Sequence, residues 1–160
     1  MTSSWDIHEL AVFSLDDLLF GVDASQIQEI LRLQHPSFAT IEADDANPFR
    51  ILLYQQHTPI PVFDLRRYFD LPNSFADDFT GISFYSGDCL IACQVSAIQN
   101  IFPVSLRSLQ PVPYILEQLA RKISLWGFYE YSGEVIPLFD LGQIVPKSML
   151  LQYRQSLHLP

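Results

Sequence analysis

Two aspartates occupy the same place in two copies of one motif. Residues 60–65 read IPVFDL and residues 136–141 read IPLFDL, so Asp64 and Asp140 each close a Pro-x-Phe run. A carboxylate from each copy could form a dyad that shares one proton and activates a water for hydrolysis, provided the two lie about 3 Å apart. Such a dyad also needs small residues after each Asp, so that backbone and water can approach. Leu65 and Leu141 follow instead, and no Asp-Thr-Gly or Asp-Ser-Gly occurs. The favoured reading is structural: each Asp N-caps a helical turn, over Leu65–Phe69 and Leu141–Val145, by accepting free backbone N–H groups. A hydrolase using Asp64 and Asp140 is the minor alternative.

The other reactive side chains form no set. His8, His35, His57 and His158 are isolated from one another and from carboxylates at ligand spacing, which argues against a zinc site. Cys89 and Cys93 are four apart, on one face of a strand and roughly 13 Å apart by strand rise. That distance excludes a disulfide and leaves buried thiols acting as small hydrophobes. The six glycines never cluster into a phosphate loop, and no Ser sits in a Gly-x-Ser-x-Gly elbow. The acidic runs at Glu42–Asp45 and Asp77–Asp78 read as solvated loops rather than a calcium site. The expectation is a chain with no catalytic residues, no cofactor and no metal.

Composition narrows the partners. The net charge is −9, with nine basic residues scattered among eighteen acidic ones, so no basic stripe exists to neutralise phosphates or to meet an anionic membrane. Residues 1–10 contain Asp6 and Glu9 and no basic n-region, unlike a secretory signal. The longest uncharged stretch, Cys89 to Leu106, is too polar to span a bilayer. A cytoplasmic protein without membrane insertion is expected. Charged residues make up only 17% of the chain, against about 25% in ordinary soluble domains. So little charge favours a protein that works by touching other proteins.

The elements that would position any site are themselves repeated. LFGVDASQIQEIL (Leu19 to Leu31) aligns with LIACQVSAIQNIF (Leu90 to Phe102) at an offset of 71 residues, and the Asp motifs align at an offset of 76. Two motifs in one order at nearly one offset mark a tandem duplication. Each copy opens with a hairpin, Leu10 to Leu15 with Leu18 to Val22 and Thr80 to Ser86 with Cys89 to Val95, turning at Asp16-Asp17 and Gly87-Asp88. Ser25-x-x-Gln28 and Ser96-x-x-Gln99 then have capping-box form and predict short helical turns. Third strands are expected at Ile30 to Leu33 and Asn100 to Leu106, and a helix over Tyr114 to Ile123. Each copy closes with a strand pair, Arg50 to Gln55 with Pro59 to Phe63 and Leu125 to Tyr131 with Glu134 to Phe139. About ten short strands predict a mainly β fold of small barrels or a sandwich. A terminal helix is expected over residues 148–158.

These segments resemble the CheW-like family of chemotaxis coupling proteins. FSLDDLLFGVDASQIQEIL (Phe13 to Leu31) is similar to that family's opening, where a strand ends in a Gly-(Ile/Val)-Asp step. PIPVFDLRRYFDLP (Pro59 to Pro72) resembles its Ile-Pro-Val-(Val)-Asp-Leu-Arg segment, and Pro111-Val112-Pro113, Leu125 to Phe128 and Val135 to Leu141 resemble its second half. The resemblance implies two pseudo-symmetric SH3-like five-stranded β-barrels around a shared core, one over residues 10–72 and one over residues 79–145. It also implies a non-enzymatic adaptor that joins a chemoreceptor-like sensor to the regulatory domain of a CheA-type histidine kinase. The partner-contact edge it implies lies near Val22, Ile27 and Ile30. Where the family usually has an Arg-Gly pair on the receptor side, this chain has Gln56 and His57, and Ile51 stands near a further family glycine that the second half keeps as Gly127. A diverged regulator that has lost receptor binding is the alternative within the same family.

Overall fold

The computed structural model describes residues 7–34, 36–40, 49–55, 58–72, 78–148 and 150–151. Hairpins form where turn chemistry interrupts the apolar runs. β1 (Ile7–Leu15) turns into β2 (Leu18–Asp23), and β7 (Phe79–Ser86) into β8 (Cys89–Gln94). Asp16 and Gly87 open these turns with φ of 53° and 61°. β11 (Leu125–Tyr131) joins β12 (Glu134–Phe139) through Ser132 and Gly133, both at positive φ, as a two-residue type I′ hairpin requires.

β3 (Ile27–Leu33), β4 (Ser37–Thr40), β5 (Phe49–Gln55) and β6 (Thr58–Phe63) complete the first copy, with β9 (Ala97–Ser105) and β10 (Gln110–Pro111) in the second. Twelve strands are thus described. Two short ones, β4 and β10, extend the sheets beyond the ten strands expected. The order is β10-β11-β12-β2-β1-β9 in one sheet and β3-β7-β8-β6-β5-β4 in the other.

The two sheets are built by exchange. Each copy's opening hairpin pairs with the closing hairpin of the other copy: β2 runs parallel to β12, and β8 runs parallel to β6. Val22 lies opposite Phe139, and Cys93 opposite Phe63, so the registers reproduce both sequence offsets residue for residue. The compact units therefore cut across the duplicated halves at residues 10–72 and 79–145. One unit comprises Met1–Ile27 with Ser96–Ile144, the other Gln28–Val95 with Val145–Pro160.

Each unit has its own core. In the first, Leu10, Val12, Val104, Ile136 and Leu138 pack together, with Phe102 against Tyr129 and Tyr131 beside them. In the second, Leu31, Ile60, Val62, Phe79 and Ala92 do so. β1 also buries Ala11, Phe13 and Leu15, so both of its faces are removed from water. That double burial explains why its apolar residues run consecutively rather than alternating. Gly81 is required by a close approach, because a Cβ there would run into the Cys93 carbonyl oxygen and sit 2.7 Å from the Phe79 ring.

Local helices follow their caps. The 3-10 turn at Ala24–Gln26 is opened by Asp23, whose carboxylate accepts the Ser25 N–H at 2.9 Å. This replaces the capping box expected at Ser25-x-x-Gln28. The second copy has Gln94 at the position of Asp23, and it forms no helical turn there. β9 accordingly starts at Ala97, ahead of the expected Asn100, and the Ser96 hydroxyl instead accepts the Asp16 N–H across the first hairpin turn. The expected helix at Tyr114–Ile123 is a 3-10 turn, Tyr114–Leu116, running into α2 (Glu117–Lys122). Helical backbone begins again at Lys147, with the Leu150 N–H donating to the Pro146 carbonyl, and residues 149 and 152–158 of the expected terminal helix lie outside the described residues. Among the described residues, no helix is long and apolar enough to cross a membrane.

Candidate functional site

Both repeated aspartates cap helices. Asp64 Oδ1 accepts the Arg67 N–H at 3.2 Å and opens α1 (Leu65–Tyr68). Asp140 Oδ1 accepts the Gly142 N–H at 2.9 Å and opens α3 (Leu141–Ile144). The second cap is reinforced by Gln26, whose amide donates to Asp140 Oδ1 at 2.7 Å and accepts the Leu141 N–H at 3.0 Å. Gln26 belongs to the first copy and Asp140 to the second, so this contact is a product of the strand exchange. Ala97 stands at the matching position in the other copy and offers no such amide. The two aspartates lie in different compact units, and each carboxylate is engaged by its own helix.

Burial acts on two further titratable groups. Burial pushes the Cys93 thiol far above its ordinary range, only partly offset by a backbone hydrogen bond at Ile82. A thiol held neutral in this way is neither nucleophile nor metal ligand. Burial also raises the Tyr68 phenol, which packs against Phe63 and Phe69 with ring centroids 5.6 and 5.1 Å away. Among the described residues, no three His, Cys, Asp or Glu side chains are placed to share a metal ion.

The surface also carries large apolar side chains. Of the residues expected at the contact edge, Val22 is fully buried and serves the core opposite Phe139. Ile27 is half-buried, and Ile30 is 37% exposed on β3. Gln56 and His57 lie outside the described residues. Sequence reasoning missed Ile101, the partner of Ile30 in the repeat alignment, which is 40% exposed on β9. Among the described residues, β3 and β9 are the terminal strands of their sheets, so the two isoleucines occupy equivalent edges. Also missed was the face of the 3-10 turn and α2. Tyr114 and Ile115 are 91% and 89% exposed there, and Leu119 and Ile123 follow Ile115 at i+4 spacing. That spacing on an expected helix was the available signal. Exposed residues of this size favour contact with proteins over chemistry on small molecules.

Comparison with known proteins agrees with this architecture. A family model described as CheW-like domain matches residues 9–149. No curated protein matches the chain. Among solved structures, the scaffolding protein TtCheW from Thermoanaerobacter tengcongensis superposes with a TM-score of 0.69 at 19% identity, over 86% of this chain and 97% of that one. With the model spanning both copies of the repeat, this chain belongs to the CheW-like domain family.

Proposed function

We propose that this chain is a cytoplasmic, non-enzymatic adaptor coupling a chemoreceptor-type sensor to the regulatory domain of a CheA-type histidine kinase. The observation that carries the reading is the family match, which runs through both copies of the duplicated motif. The structure supports it with large apolar side chains on two equivalent edges, Ile30 on β3 and Ile101 on β9. Ile27 extends the first of these edges. An adaptor needs more than one contact surface, and a duplicated fold supplies two of related shape without further invention. Gln56 and His57 form the receptor-side surface in this reading, altered from the family's Arg-Gly pair.

Titration calorimetry against the regulatory domain of a CheA-type kinase from the same source tests the proposal. Saturable binding in the micromolar range is expected, weakened at least about tenfold by Ile30→Glu or Ile101→Glu, the scale of losing one well-packed contact. Absence of heat with a folded protein would refute kinase coupling. Kinase binding without any receptor binding would identify the chain as a regulator rather than a coupler.

A further inference from the structure

The 3-10 turn at Tyr114–Leu116 and α2 sit where the second copy is longer than the first. In the first copy Ala39 on β4 pairs with Leu52 on β5, thirteen residues later. At the matching place in the second copy, Gln110 on β10 pairs with Phe128 on β11, eighteen residues later. The five extra residues, which separate the two sequence offsets of 71 and 76, therefore fall in the connection that holds α2. The first copy makes the same strand pairing across a shorter connection.

One face of this insertion is apolar and turned to water. Ala120 is buried and fixes the inner side. On the outer side Ile115, Leu119 and Lys122 follow one another at i+4 and i+3 spacing and form a row, with Tyr114, Gln118 and Arg121 in the next. Tyr114 and Ile115 are almost fully exposed and Leu119 is 59% exposed, with Leu116 and Ile123 partly open beside them. Together they leave on the order of 500 Å² of apolar surface, near the top of what an ordinary monomer shows in one patch. Single exposed apolar residues are ordinary, but a contiguous row of them marks a contact.

The two ends of the face differ, and each suits the other. A phenol and an isoleucine stand at the start, and Arg121 and Lys122 at the end. Arg121 Nη2 bonds Glu117 Oε1 at 2.9 Å, yet the arginine side chain stays 77% exposed. We propose that this face is a two-fold contact between two copies of the chain, with α2 packed antiparallel against α2. The two-fold axis would pass close to Leu119. Tyr114 of one copy then lies beside Arg121 of the other, where a guanidinium stacks on the phenol ring. Ile115 meets Leu119 and the alkyl stem of Lys122, which covers apolar surface while its ammonium stays in water. A two-fold contact requires a patch that complements itself, and this one does so only in the antiparallel sense. A strongly acidic partner fits less well, because Glu117 already answers one of the two cations. Such a pair buries about 1,000 Å² in all, the size of a weak, reversible association. Each copy carries a net charge of −9, so screening by salt should tighten the pair. The inference uses residues apart from Ile30 and Ile101 and does not rest on kinase coupling.

The test is sedimentation equilibrium of the full chain alone, from about 10 μM to about 1 mM, the span in which an interface of this size associates. The average mass should rise from one chain toward two and level there, and rise sooner at higher salt. Leu119→Glu, an exposed change whose fold circular dichroism checks, should weaken association at least about tenfold. Placement is read by oxidative cross-linking in a Cys89→Ala background. Leu119→Cys, close to the axis, should form a disulfide-linked dimer, and Val135→Cys, exposed on β12 of the same unit, should not. A chain that stays monomeric at about 1 mM, the concentration at which even a millimolar contact is half formed, would overturn the proposal. So would association untouched by Leu119→Glu, mass growing past two copies, or equal cross-linking at Val135→Cys. A monomeric chain whose Leu119→Glu variant loses binding of a kinase regulatory domain would overturn it too, and would assign the face to that partner.

Discussion

Removing the two repeated aspartates in turn should cost unequal amounts, although the sequence presents them as equivalents. Asp64→Ala loses one capping bond, from the Arg67 N–H, and a single N-cap is worth about 1 kcal/mol. Asp140→Ala loses the corresponding bond from Gly142 and also the Gln26 amide bond at 2.7 Å. A hydrogen bond to a charged acceptor contributes about 1.5–3 kcal/mol, and the lower end applies to a half-exposed carboxylate, giving about 2–3 kcal/mol in all. Urea unfolding followed by far-ultraviolet circular dichroism reads both variants. With a slope near 2 kcal/mol per molar, the midpoint should fall by about 0.5 M for Asp64→Ala and by 1–1.5 M for Asp140→Ala, with the slope unchanged. Asp140→Asn keeps the Oδ1 acceptor and should recover most of the loss. Equal losses, or a larger one at Asp64, would refute the argument that strand exchange gives the second cap its extra support.

Gly81→Ala should destabilise by about 3 kcal/mol or more, since its Cβ meets backbone rather than a side chain that can move; Gly87→Ala, open in space but at φ of 61°, should cost about 1 kcal/mol. Chemical denaturation of the two variants separates these outcomes. The cysteines should differ in labelling with a thiol-reactive disulfide: half-buried Cys89 reacts in the native state, and buried Cys93 only after unfolding. Because the fold holds Cys93 neutral, unfolding frees a thiol that ionises near pH 8.5, so above that pH the unfolded state binds fewer protons. Stability should then fall with rising pH, by up to about 1.4 kcal/mol per unit, and Cys93→Ala should remove that component of the slope.

The duplication was legible because apolar pattern and turn chemistry both repeat, and the registers Val22–Phe139 and Cys93–Phe63 match the alignment. The aspartate caps were legible because Asp before a Leu-initiated turn has one common structural use. The exchange was not. Either hairpin satisfies the pattern of either sheet, since a duplicated strand presents the same face to both, and pattern alone does not choose between them. Val22 sits one residue from an acidic, exposed turn, and only the sheet shows that its own side chain is enclosed. The 3-10 turn was misplaced because Asp23 is a stronger cap than Ser25 in that context, and Gln94 in the other copy is too long to do the same. The contact of Gln26 with Asp140 depends on that exchange and is invisible in linear order.

Bridging tests the central claim most directly. Receptor-containing membranes and a CheA-type kinase from the same source are mixed with and without this chain, sedimented, and assayed for bound kinase. The account predicts kinase in the pellet only when the chain is present, and its loss with Ile30→Glu. Kinase that sediments equally without the chain, or never with it, would contradict the adaptor reading.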